Sequence, residues 1–202
     1  MADPADATGV HFHGEDWYGE ELGAIRFEDC TFTDVDLSEA TTAGAVFERC
    51  TFHGGRLNAS SHTATAFVGC DFRRTTFFDA TLDGCKLVGS VFTDCVLRPL
   101  TVHGGSWLGV TMRGATLARL DLGGVDLREA DLSMADLSLT SLADARLDRA
   151  VLREAKLDRT DLRGASLDAV DLSVATLSRT RLDLAGAVLL AELLGADVDT
   201  SH

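Results

Sequence analysis

Proline is almost missing from this 202-residue chain: only Pro4 and Pro99 occur. Pro99 is the one place in the body of the sequence where a backbone N–H donor is lost. Basic residues are also short, 18 against 32 acidic, for a net charge of −14. That balance excludes direct binding of nucleic acid, whose phosphates must be met by Lys and Arg. It leaves room for proteins whose own task is to hold nucleic acid. The longest apolar run, LAGAVLLA at Leu184 to Ala191, is far too short to span a bilayer. The N-terminal stretch MADPADATGVHFHGEDW has no basic start and no apolar run, so no signal peptide is expected and the expected location is the cytoplasm. The five cysteines are odd in number and contain no CxxC pair, which excludes a disulfide framework and fits a reducing compartment. GxSxG, HExxH and a phosphate-binding glycine loop are all absent. No catalytic role, cofactor or metal is therefore expected.

What is present is a repeat. Stepping by five from Phe12 to Leu182 gives 35 positions, of which 33 are Leu, Phe, Trp, Met or Val; Thr42 and His62 are the exceptions. No insertion or deletion breaks the step. Two places before these central residues lies, in most pentads, a small one, as at Ala130, Ala135, Ala145 and Ala150. All five cysteines, Cys30, Cys50, Cys70, Cys85 and Cys95, occupy that slot. Period five suits neither a helix nor a flat strand. It suits a short extended side followed by a right-angle turn, with the large residue and the small one both pointing inward. Four such sides close a square coil of about 20 residues, and stacked coils share ladder hydrogen bonds. Phe12, Phe32, Phe52, Phe72 and Phe92 then stack on one side, and Phe27, Phe47 and Phe67 on another.

The pattern resembles the pentapeptide-repeat family, whose motif stands here as ADL at 130–132 and 135–137, VDL at 125–127 and 170–172, and TDL at 160–162. The resemblance implies an all-β solenoid, a right-handed quadrilateral β-helix with about 20 residues per coil. LVGSVFTDCVLRPLT at 87–101, LREADL at 127–132 and an apolar C-terminal segment are similar to the fluoroquinolone-resistance, Qnr-like group of that family. That likeness implies an acidic DNA mimic that binds DNA gyrase, with topoisomerase IV as a further partner, and protects or modulates it against quinolones or other poisons. The alternative is a rigid interaction scaffold with a non-topoisomerase partner.

The expected organisation is an extension or irregular first coil at 1–20, a β-helix at 21–182, a helix at 183–195 and a tail at 196–202. Asp183 is a good N-cap and Gly195 a good stop. One face of this helix would cover the open end of the stack. The remaining apolar residues among Leu184, Val188, Leu189, Leu190, Leu193 and Leu194 point to a homodimer. Candidate partner-binding acids lie outward: Asp121, Asp144 and Asp161 along one side, Asp131, Glu154 and Asp171 along another, and Asp136. Arg153 and Arg163 interrupt them. The cysteine column is expected to be core packing. Thr42 and His62 mark a loosened wall, with the histidine turned outward or hydrogen-bonded in place.

Overall fold

The computed structural model describes residues 6–199. Residues 1–5 of the expected extension and 200–202 of the expected tail lie outside the described residues. The chain winds into about nine parallel coils, roughly 40 Å of stack at a strand spacing of about 4.8 Å. Strand residues pair with their equivalents in the next coil, as Phe32 does with Phe52 and Phe47 with Phe67. The first face stacks Ala7–Thr8, Arg26–Glu28, Val46–Glu48 and Ala66–Val68. The second stacks His11–His13, Thr31–Thr33, Thr51–His53, Asp71–Arg73 and Val91–Thr93. The third is a ladder of single bridges, Asp16 to Asp36 to Arg56 to Thr76 to Val96. The fourth stacks Glu21–Gly23, Thr41–Ala43, Ser61–Thr63, Ala80–Asp83 and Leu100–His103. Beyond residue 105 most coils touch through single bridges, such as Thr111 with Asp131.

Residues 7–20 are part of this stack. Ala7 pairs with Phe27, His11–His13 with Thr31–Thr33, and Asp16 with Asp36. Glu15 and Glu20, in slots elsewhere filled by apolar or small residues, are half-buried. The register shifts between Glu21 and Gly23. The first coil tolerates these departures because, among the described residues, only one of its two edges has a neighbouring coil to match.

The right-angle corners have a specific backbone solution. The residue two after nearly every central one takes a left-handed φ; Ala24, Pro99 and Val174 are among the exceptions. Glycine does so at many corners, and nineteen non-glycine residues do so at the others, among them Asp144, Glu154, Met134 and Leu139. Each non-glycine corner costs on the order of 1 kcal/mol, which the shared ladders and core offset. At one inward slot glycine is obligatory. Gly105 sits two before the fully buried Trp107, and a Cβ there would collide with the Cys85 carbonyl oxygen.

The interior is built from stacked like residues. Successive rings of the Phe32–Phe52–Phe72–Phe92 ladder lie 4.6, 4.7 and 4.7 Å apart. The Phe27–Phe47–Phe67 ladder stacks at 5.3 and 4.8 Å. The two ladders meet edge to face, as Phe27 meets Phe32 at 5.2 Å. Such pairs add about 0.5–1.5 kcal/mol each beyond the area they bury.

The small slot has a second function. Most cysteines, serines and threonines there donate their hydrogen to a main-chain carbonyl in the coil below. Cys50 donates to Phe27, Cys70 to Phe47, Cys85 to His62, Cys95 to Phe72, Ser90 to Phe67, and Thr140 to Leu117. The cysteines are therefore core residues with a bonding role. Burial pushes the Cys85 and Cys95 thiols up to about 11, which keeps them protonated. Among the described residues no group of three or more His, Cys, Asp or Glu side chains is arranged to hold a metal. Among the same residues no helix is long and apolar enough to cross a membrane.

His62 points inward. It is 2% exposed, and its ring edge meets Phe67 at 5.5 Å. Its bonds fix its tautomer. Ser60 Oγ donates to the Leu57 carbonyl at 2.7 Å, so it accepts from His62 Nε2–H at 3.0 Å. Nδ1 is then an acceptor, and Thr42 Oγ1 donates to it at 2.7 Å. Thr42 Oγ1 in turn accepts from Thr65 Oγ1 at 2.7 Å. The two gaps in the leucine stripe are thus one closed polar seam. Burial pushes the imidazole down to about 4. Between pH 6.5 and 4 the unfolded chain binds a proton at this residue that the folded one does not, so stability falls as pH falls through that window. The loss expected is about 3 kcal/mol. Urea midpoints at pH 7 and pH 4.5 should differ more for the native chain than for His62→Leu; equal differences would refute the assignment.

Candidate partner-binding faces

The outward aspartates fall into two structural classes. An aspartate one before a central residue folds back and accepts the N–H two residues ahead. Asp36 does so with Ser38, Asp121 with Gly123 at 3.0 Å, Asp131 with Ser133 at 3.1 Å, Asp136 with Ser138 at 3.0 Å, Asp161 with Arg163 at 3.2 Å, and Asp171 with Ser173 at 2.9 Å. This is an Asx turn, and it starts the corner. Hydrogen bonding from Arg163 holds the Asp161 carboxyl down to about 2. Ser138 likewise holds Asp136 below the usual carboxylate range. At Asp131 burial works the other way, and the Ser133 hydroxyl and N–H with Arg113 outweigh it. Five of the seven candidate acids, Asp121, Asp131, Asp136, Asp161 and Asp171, are therefore turn makers whose carboxylates are partly engaged. The other two, Asp144 and Glu154, stand at exposed left-handed corners.

The seven do not share a face. Asp121, Asp144 and Asp161 lie on the fourth, Asp131, Glu154 and Asp171 on the opposite second, and Asp136 on the third. Ion pairing decides how much charge each face presents. On the first face eight acids meet six bases, and Arg49 alone reaches Glu28, Glu48 and Asp29. The second face sets six acids against four bases, and the third seven against six. The fourth face carries Glu20, Glu21, Asp83, Asp121, Asp144, Asp161 and Asp183 against only Arg163 and Arg181, and both of these arginines pair with Asp161. From residue 20 to residue 162 it has no Lys or Arg. Its other outward residues are mostly Gly, Ala, Ser and Thr. Gly23, Gly84, Gly104 and Gly124 have nothing within 4 Å of where a Cβ would stand, so a partner could approach the backbone. The acids Glu21 and Asp83 were not singled out from sequence. What marks them is the lack of a cation at the equivalent position of the next coil.

The C-terminal end is the apolar end. The helix α1, Leu184–Leu193, is capped by Asp183, which accepts from Gly186 N–H at 2.9 Å and from Gly164 N–H of the preceding coil at 2.9 Å. Gly195 takes a φ of 89° at its stop. Gly186 is buried, while Leu189 and Leu190 pack half-buried against the core and Val188 is half-buried. Leu184, Leu193 and Leu194 stand out, Leu184 at 78% exposure. Met134, Leu139, Val151 and Val174 are also exposed and lie in the same third of the chain.

A family model described as pentapeptide repeats matches eight copies in this chain, over residues 25–60, 63–94, 109–144 and 145–183. The chain is 40% identical over 102 residues to the pentapeptide repeat protein MfpA of Mycobacterium tuberculosis, a match covering 48% of this chain and 56% of that one. It is 40% identical over 62 residues to MfpA of Mycolicibacterium smegmatis, covering 31% and 30%. The matches thus span about half the length of the first relative and less of the second. Among solved structures, full-length QnrB1, a plasmid-mediated fluoroquinolone resistance protein, superposes with a TM-score of 0.69 at 18% identity, covering 95% of this chain and 100% of that one. At that identity the likeness concerns the fold.

The two classes of aspartate separate in stability. Asp136→Ala should cost about 1 kcal/mol by losing the turn acceptor. Asp136→Asn keeps an acceptor oxygen and should cost less than half of that. Urea denaturation of the two variants checks the order; equal losses would refute the turn role.

Proposed function

This chain belongs to the pentapeptide-repeat family, and from that premise we propose that it is an acidic DNA mimic that binds DNA gyrase. The binding competes with DNA for a basic surface and modulates the enzyme or protects it against quinolones and other gyrase poisons. The observation that carries the reading is the fourth face, whose carboxylates run from residue 20 to residue 162 without a cation between them. Similarity to MfpA and the fold shared with a fluoroquinolone resistance protein support the choice of partner. Topoisomerase IV is the second expected target. The mechanism is electrostatic: like charges on a rigid face steer encounter with a surface built for phosphates.

The test uses matched gyrase. Supercoiling should be inhibited by the native chain, or protected in the presence of a quinolone. The triple variant Asp83→Asn, Asp121→Asn and Asp144→Asn should bind gyrase roughly tenfold more weakly. Affinity of the native chain should fall steeply as salt rises. Unchanged binding in the triple variant would remove the fourth face from the proposal. Absence of any effect on gyrase, with salt-insensitive binding to another protein, would favour a rigid scaffold instead.

The apolar C-terminal end supports a homodimer joined there, the simplest closed arrangement for one such patch. Leu184→Asp with Leu194→Asp should convert dimer to monomer in light scattering. Both side chains are exposed, so the monomer should keep its β-rich circular dichroism. A monomeric native chain would overturn the dimer.

A further inference from the structure

The third face carries a feature that an acidic mimic does not use. Phe78 and Val96, in adjacent coils, are 53% and 50% exposed. The coil register places Arg98 in the same column as Phe78, one coil on. Beside them a cleft of about 210 Å³ opens, lined by Arg98, Pro99, Leu100, Ala118, Arg119 and Leu120. Twelve of the sixteen arginines have a carboxylate within 4 Å. Arg98 and Arg119 have none among the described residues. Arg98 instead donates Nη1–H to the Ala118 carbonyl at 3.4 Å. The acids closest in the fold make no ion pair with either arginine. Asp136 accepts from Ser138 N–H and feels Arg98 only through space, and Asp79 stands one coil below Pro99.

We infer that this spot docks an extended peptide segment of a partner protein that carries a carboxylate next to an apolar side chain. Charge complementarity selects the occupant. In a chain of net charge −14, two guanidiniums lining one cleft, with no carboxylate within 4 Å among the described residues, form a local site for an anion, and a planar fork suits a carboxylate. Size narrows it further. A cleft of 210 Å³ admits one acidic side chain, which leaves Phe78 and Val96 as the shelf for its apolar neighbour. The inference is independent of the gyrase reading: Phe78, Val96, Arg98 and Arg119 belong to the third face, at its corner with the fourth, and the two arginines have the opposite charge.

The probe is acetyl-Asp-Phe-Glu-Leu-amide, with acetyl-Asn-Phe-Gln-Leu-amide as the uncharged control, titrated into the ¹⁵N-labelled full chain. Amide shifts are expected at residues 78–80, 96–98, 100 and 118–120 with the acidic peptide alone. Arg98→Gln with Arg119→Gln should weaken the titration roughly tenfold, and Phe78→Ser about fivefold. All three residues are at the surface, and unchanged spectra elsewhere report an intact fold. No shifts at millimolar peptide, equal shifts with the uncharged peptide, or equal affinity in the arginine variant would each overturn the inference.

Discussion

Closure of every coil after four equal sides is the constraint on which everything else rests. Because the sides never change length, identical slots lie directly above one another at the strand spacing. A residue's neighbours are then set by its number alone: its equivalents one coil ahead and one coil behind, and the inward residues of the adjoining sides. One insertion within a side would move every central residue above it out of its column. The unbroken step from Phe12 to Leu182 is what this requires.

Stacking like on like has opposite consequences inside and outside. Inside it is favourable: phenylalanines form ladders with rings 4.6–5.3 Å apart, and a thiol or hydroxyl finds a carbonyl one coil below. Even the imperfect column of Thr42 and His62 closes, because Ser60 and Thr65 supply its missing partners. Outside, a column of carboxylates at that spacing would repel itself. Three faces relieve this by interleaving arginine, as Arg56 meets Asp36 at 2.8 Å and Arg49 meets Asp29 at 2.8 Å. The fourth instead dilutes its acids with Thr41, Ser61, Thr81 and Thr101. Hydroxyls lower the repulsion without cancelling the charge.

The inward half of this architecture is legible in the sequence, because large and small residues alternate with a period that only a four-sided coil accommodates. The helix at Leu184 is legible from Asp183 and Gly195 for a related reason: caps are local signals. The outward half is much less so. An aspartate at 131 or 136 looks like a free charge in one dimension, yet its carboxylate is turned back onto Ser133 or Ser138. Nor does an Asp next to an Arg in sequence reveal that the decisive partner lies a whole coil away. The segment 1–20 reads as irregular because Glu15 and Glu20 fill small slots. Its described part nevertheless joins the stack, since among the described residues that coil has one neighbour to satisfy.

Net charge is therefore the wrong measure of what this solenoid can bind; the charge on each face is the relevant one. The fourth face has seven acids and two bases, one net charge per roughly 8 Å along a stack of about 40 Å. Duplex DNA carries one per about 1.7 Å. At that density charge can steer a partner and set its orientation, but it cannot by itself match the affinity of DNA. The rest must come from close contact. A face whose remaining outward positions are mostly glycine, alanine, serine and threonine, held flat by a rigid ladder, provides that contact without ordering long side chains. Flatness and the missing cations thus act together. A lysine placed on this face would reduce the field and also hold the partner away from the backbone.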